Sequence, residues 1–143
     1  YLRPASIDDL GLIAALEWLC DDFEKKTEIP CKFTSAVRER NFDPNFSITT
    51  YRILQESLTN VLRHAQAERV TVSVSESEAD FFLQIADDGK GISKGSSKTK
   101  KLGIIGMKER AALLGGKLII TGNGNKGTNL KLTLPLKDEY INS

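Results

Sequence analysis

The 143 residues, 40% hydrophobic and 27% charged with 11 Gly and 4 Pro, are the composition of one globular domain with one core. They exclude collagen-like and intrinsically disordered classes. Twenty Lys and Arg against 19 Asp and Glu leave a net charge of +1, so no global field draws the chain to nucleic acid or an anionic membrane. No apolar run reaches the ~18 residues of a membrane span. Cys20 and Cys31 fit no metal spacing and are too few for a disulfide scaffold, which points to core packing in a reducing compartment. The chain opens on Tyr1 without an initiator Met and reads as a piece of something longer.

Helical and strand periodicities alternate, so a mixed α/β (α+β) architecture is expected. Ser6 is suited to cap a helix with Asp8 and Asp9 in its first turn. Leu10, Ile13, Leu16 and Leu19 follow at 3.6-residue spacing, and the helix is expected to run to about Lys26. Pro30 starts a weakly alternating stretch, Cys31 to Val37, that reads as an edge strand. Asp43-Pro44-Asn45 punctuates a turn before the strongest helical pattern in the chain, Ser47 to about Gln66. Leu54, Leu58, Val61 and Ala65 form its apolar stripe. Glu56, Asn60 and Arg63 lie opposite, flanked by Ile53 and His64.

Val70, Val72 and Val74 alternate within Arg69 to Ser75, and Phe81 to Ala86 is a second β-rich run. With Glu76 to Asp80 as the turn, the two predict an antiparallel hairpin. Residues 87 to 101 lose periodicity and hold Lys90, Lys94, Lys98, Lys100 and Lys101, which reads as a mobile loop. A helix is expected from about Ile104 to Leu114, stopped by Gly115-Gly116. Two last strands, Lys117 to Thr121 and Thr128 to Leu134, are joined by the Gly-rich turn at 122 to 127.

Three segments could carry chemistry. On the 47 to 66 helix, Asn60 offers an oxygen to a hard cation, Glu56 one turn earlier a carboxylate base, and Arg63 and His64 charge for phosphate. The plain alternative is a solvated helix face. Asp87-Asp88-Gly89-Lys90-Gly91 closes a strand. It is either an ordinary turn or a fixed carboxylate for an exocyclic amine, with glycines that let a flat ring approach the backbone. Gly103 and Gly106 open a helix after the lysine-rich loop, where exposed amides and the helix dipole favour an anion, or where glycines merely allow close packing. Neither GxxxxGK[ST] nor a strand-borne GxGxxG is present, and no Ser-His-Asp set or zinc site can be drawn.

Read in order, QESLTNVLRHA (55 to 65), DDGKG (87 to 91), LGIIGMKERAALLGG (102 to 116) and GTNLKLTLPL (127 to 136) resemble the N, G1, G2 and terminal motifs of histidine-kinase ATP-binding domains. These domains belong to the GHKL superfamily. The GMKER…LGG form, the short lid and the Arg3-Pro4…Leu10-Gly11-Leu12…Ala15-Leu16 opening resemble the subfamily whose response regulators carry helix-turn-helix outputs. The resemblance implies a two-layer sandwich, a mixed sheet backed by helices (the GHKL or Bergerat fold), with a lid at about 92 to 102. Residues 1 to 5 would be the tail of a dimerisation and phosphoacceptor domain, and residues 6 to 143 the catalytic domain.

Carried over by motif position, Asn60 would coordinate Mg²⁺ and Glu56 would polarise the attacking group. Arg63 and His64 would lie near the phosphates, and Asp87 would accept from the adenine amine with Gly89 and Gly91 around the base. Gly103 and Gly106 would give room and amides to the phosphates, and Thr128 would support Asp87. Lys101 replaces the first glycine of the usual G2 motif, which puts a charge near the triphosphate. The activity implied is Mg·ATP binding and γ-phosphoryl transfer to a histidine on the dimerisation domain. The sole histidine here, His64, is not that acceptor. The implied setting is a monomeric cytoplasmic fragment of a homodimeric parent that can carry a membrane anchor elsewhere, without direct nucleic-acid or membrane contact of its own. The rival readings are a protein serine kinase or ATPase of the same superfamily, and a degenerate module that no longer engages nucleotide.

Overall fold

Leu12, Leu16, Leu19 and Phe23 recur along one helix face and are all buried, which is why 12 to 27 packs as an amphipathic helix. The structure, a computed structural model, describes residues 9–89, 98–122, 127–137 and 141–142. The expected cap Ser6 and Asp8 lie outside the described residues. The first helix is not continuous from that cap. Gly11 takes φ 91° and starts α1, Leu12–Thr27, anew. Leu10, assigned to the apolar stripe, is accordingly 56% exposed. The start of α1 is capped from a distance, because Glu39 accepts from the backbone N–H groups of Ile13 (3.3 Å) and Ala14 (3.1 Å). A Cβ at position 11 would meet the Glu39 carboxyl carbon at 2.5 Å, so both backbone angle and space call for glycine.

Strand β1, Cys31–Ser35, is the expected edge strand, and a two-residue strand β2, Asn41–Phe42, follows. Helix α2, Pro44–Asn60, begins three residues earlier than its apolar pattern indicated. Asp43-Pro44-Asn45 is a helix start rather than a free turn. Pro44 occupies the first turn, where its fixed φ costs nothing, and the Asp43 carboxylate accepts from Asn45 N at 2.9 Å. Ile53, read as flanking the polar cluster, is fully buried, and Ser47, Thr50 and Ser57 extend the buried face. Thr50 and Ser57 return their hydroxyls to the carbonyls of Phe46 and Ile53, which removes the cost of burying them. After Asn60 the helix widens into a π turn, Val61–Ala65, closed by Gln66 in the left-handed region.

Strands β3, Val70–Glu76, and β4, Asp80–Asp87, form the expected antiparallel hairpin. Helix α3, Lys98–Leu113, starts six residues before its expected position, so 98 to 103 is helix and not loop. Its end is as read: Gly115 has φ 76°, and Gly116 N bonds to the Ala111 carbonyl at 2.9 Å. Strands β5, Lys117–Gly122, and β6, Thr128–Pro135, follow, and β7, Ile141–Asn142, pairs with β2.

The main sheet has the order β1-β3-β4-β6-β5, parallel only between β1 and β3. Val70, Val72, Val74, Leu83, Ile85, Leu130, Leu132 and Leu134 are buried on one face, while Thr71, Gln84, Lys131 and Ile119 are exposed on the other. The helices cover the buried face, which makes the two-layer α/β sandwich. Phe42, Phe46 and Phe81 close one end, with ring centroids 5.2 to 6.1 Å apart. Cys20 and Cys31 are both buried free thiols between α1 and β1. A hydrogen bond with Cys31 and burial push the Cys20 thiol up, so it stays protonated, as core packing requires.

Candidate functional site

The end of β4 is where the sheet turns polar. Asp87 is its last residue, half-buried, and stands opposite Thr128 of β6 and Val70 of β3 in the strand registers. Its carboxylate Oδ1 accepts from Gly89 N at 2.9 Å, which closes a small turn and fixes the side chain's direction. Gly127, just before Thr128, has φ 108°, and a Cβ there would collide with the Asp87 carbonyl oxygen. A side chain at 127 would therefore push β6 off the strand that carries Asp87.

Between this strand end and the helices lies a small cleft. Asn60, Asp87 and Thr128 all line it. These three, distant in sequence, are the predicted residues that the fold brings together. The walls are Ile85 and Leu130 from the sheet floor, Ile120 from β5, and Ile104 and Met107 from α3. Met107 is buried, and the Ser57 hydroxyl lies 3.6 Å from its sulfur, which joins α2 to α3 behind the cleft. Apolar walls around a few convergent polar groups suit a flat, mostly apolar ligand with one amine to be read.

The other expected residues stand apart. Glu56 lines a neighbouring polar recess with Arg52, Gln55 and Arg110. Its carboxylate lies against Gly103, where a Cβ would meet Oε1 at 2.5 Å, so Gly103 permits the close approach of α2 and α3. A Cβ at Gly106 would meet nothing within 4 Å. Both glycines sit inside α3, where backbone N–H groups beyond the first turn are taken up by the helix itself. In this conformation their amides are not offered to a ligand as the sequence suggested. Lys101 is exposed on the first turns of α3, Arg63 is exposed in the π turn, and His64 is half-buried there. Gly89 is buried; Gly91 lies outside the described residues.

Sequence reasoning passed over Ile85, Ile104, Met107, Ile120 and Leu130, because an apolar residue that lines a cleft has the same pattern as one that fills a core. It also passed over Gly127 and Asp88. The signal for Gly127 was a glycine directly before Thr128, and for Asp88 it was the doubled carboxylate. Asp88 Oδ1 accepts from the backbone N–H groups of Glu68 (2.8 Å) and Arg69 (2.9 Å). Against the cost of its desolvation, the N–H groups of Glu68, Arg69 and Asp88 itself, with the Arg69 charge, hold its carboxyl below the usual range.

A two-layer sandwich with an apolar-walled cleft at one strand end defines an α/β ligand-binding domain, and the sequence relationships name its class. The profile of the histidine kinase-, DNA gyrase B- and HSP90-like ATPase family matches residues 46–138, and the chain belongs to that family. Within that family, the relatives it is similar to are histidine kinases. It is 36% identical over 138 residues to the signal transduction histidine-protein kinase/phosphatase DegS of Brevibacillus brevis, covering 96% of this chain and 36% of that protein. Against the oxygen sensor histidine kinase NreB of Staphylococcus carnosus it is 37% identical over 138 residues, 96% of this chain and 40% of that one. The chain thus spans less than half the length of these relatives. In fold it is similar to the histidine kinase domain of the Erythrobacter litoralis EL346 blue-light activated histidine kinase, with a TM-score of 0.75 at 21% identity over 87% of this chain and 61% of that one. It is also similar to the Acinetobacter baumannii histidine kinase AdeS, with a TM-score of 0.70 at 15% identity over 94% of this chain and 74% of that one.

Proposed function

We propose that this domain binds Mg·ATP in the cleft and, within a longer histidine kinase, donates the γ-phosphoryl group to a histidine of the dimerisation and phosphoacceptor domain. The observation that carries this reading is the convergence of Asp87, Thr128 and Asn60 on one apolar-walled cleft. Asp87 would accept from the adenine amine while Ile85, Ile104, Met107 and Ile120 enclose the ring. Thr128, its cross-strand neighbour, would support the same edge. Gly89 and Gly91 would leave room around the base.

Asn60, on the helical wall, would turn its side-chain oxygen to the metal. Among the described residues no group of three or more His, Cys, Asp or Glu could cage a cation. The donor set therefore fits an ion that arrives on the phosphates and keeps most of its water, as Mg²⁺ does, and takes one protein oxygen. Lys98 and Lys101 stand on the first turns of α3, where the helix dipole is positive and a cation is unfavourable unless an anion comes to it. That arrangement supports a polyphosphate beside α3, where Arg63 and His64 would approach it and Gly106 leaves open space. Glu56 would polarise the attacking imidazole from the adjoining recess. Transfer of this kind rests on positioning and charge neutralisation, so few catalytic side chains are needed.

The kinase names of the relatives support histidine as the acceptor over serine or water. From the motif resemblance we further infer a homodimeric parent with this domain in the cytoplasm, acting on a response regulator with a helix-turn-helix output. Calorimetric titration with ATP, with and without Mg²⁺, tests the shared premise. Mg²⁺-sensitive binding in about the micromolar range is expected; no binding would turn the reading to a module that no longer engages nucleotide. Glu56→Gln in the full-length kinase should keep ATP binding and slow transfer, and normal phosphorylation would remove Glu56 as the base.

A further inference from the structure

The cleft lies between the end of α2, with Asn60 and Val61, and the end of β4, with Asp87, while α3, β5 and β6 complete its walls. Between Val61 and β3 the chain runs through the π turn, reverses at Gln66 with φ 50°, and passes Glu68 and Arg69 before Val70 enters the sheet. One carboxylate oxygen ties this connection to β4. Asp88 Oδ1 accepts from Glu68 N at 2.8 Å and from Arg69 N at 2.9 Å, and Asp88 N returns a longer bond of 3.4 Å to the Arg69 carbonyl. The adjacent Asp87 uses its own Oδ1 on Gly89 N. The two aspartates thus divide the work, one turned back to the α2–β3 connection and the other to the cleft.

We propose that Asp88 is a positioning residue for nucleotide binding: it clamps the α2–β3 connection to the end of β4 and so sets the separation of Asn60 and Asp87 across the cleft. The inference rests on the ATP-binding reading. Two backbone donors on one ionised acceptor form a directional, charge-assisted clamp that an apolar contact could not replace. Because Asp88 is exposed, its loss leaves the core untouched and acts on the geometry of the cleft.

The test uses the chain with Asp88→Ala, Asp88→Asn and Asp88→Glu, with ATP affinity by calorimetry and amide hydrogen exchange at Glu68 and Arg69. Asp88→Ala is expected to weaken ATP about tenfold and to speed exchange at both amides by a similar factor. Asp88→Asn, which keeps an oxygen in the same place, should recover affinity to within about threefold of the unaltered chain. Asp88→Glu, with its acceptor one methylene further out, should weaken ATP while the chain still folds, which keeps the test open if the alanine variant does not. ATP affinity within about twofold for both Asp88→Ala and Asp88→Glu would overturn the role, and so would an asparagine variant as weak as alanine. The ATP-binding reading fails separately: the unaltered chain would then bind no ATP at all, and the role would fall with it.

Discussion

Asp87 and Thr128 face each other across the β4–β6 ladder, and the glycine before Thr128 is held against the Asp87 carbonyl. The carboxylate at the head of the cleft is thus fixed from two directions, by the Gly89 amide along the chain and by β6 beside it. Asp87→Asn should keep the bond to Gly89 through its amide oxygen while presenting a donor where adenine also donates. A lost hydrogen bond to a charged acceptor predicts that ATP affinity falls about 10- to 100-fold, with little change in the melting temperature. An unchanged Kd in calorimetry would remove Asp87 from adenine recognition.

The same junction predicts a cost at Gly127. Alanine there would have to adopt φ 108° and displace the Asp87 carbonyl, so Gly127→Ala is expected to destabilise the fold by about 1–3 kcal/mol. Urea unfolding measures this directly. A variant as stable as the parent would mean that β6 can shift without loss.

Gly106 gives the opposite expectation. It lies within α3 with open space where its Cβ would be, so helix propensity favours alanine by about 0.5–1 kcal/mol. Gly106→Ala should therefore raise the melting temperature of the free domain. If the glycine serves the phosphates, the same change should weaken ATP. A more stable protein with undiminished affinity would strike Gly106 from the nucleotide set.

Asp88 sets a pH dependence. Its folded-state carboxyl is held below the ordinary value of 3.8, so its stabilisation is present above that value and is lost as pH falls through the folded one. Asp88→Asn has no such proton to take up. Between about pH 6 and pH 3 the urea midpoint of the unaltered chain should fall further than that of the asparagine variant. Parallel decline of the two would show that the carboxylate contributes nothing to folding.

Much of the architecture was legible because local patterns and tertiary demands agree. Val70, Val72 and Val74 alternate because the β3–β4 hairpin has one dry face, and Gly115 ends α3 because only glycine enters the left-handed cap cheaply. Where the reading slipped, a long-range contact decided. Gly11 breaks the first helix in partnership with Glu39, far away in sequence, and no local rule could supply that cap. The first turns of α3 are lysine-rich, with no acidic residue to mark a start, and so read as loop.

By itself the sequence determined the main helices and the strands β1 and β3 to β6, because periodicity and turn chemistry act over a few residues, while the short β2 and β7 and the π turn had no such pattern; Thr128 was picked out by the motif resemblance. The tertiary structure alone decided that Asn60, Asp87 and Thr128 converge on one cleft while Glu56 turns to a separate recess. It also decided that Met107 and Ile120 are walls as well as core, and that Asp88 ties the two halves of the site together. Those facts depend on register and on the close approach of α2, α3 and β6. Register and approach are set by the packing of the whole core and have no local signature in the chain.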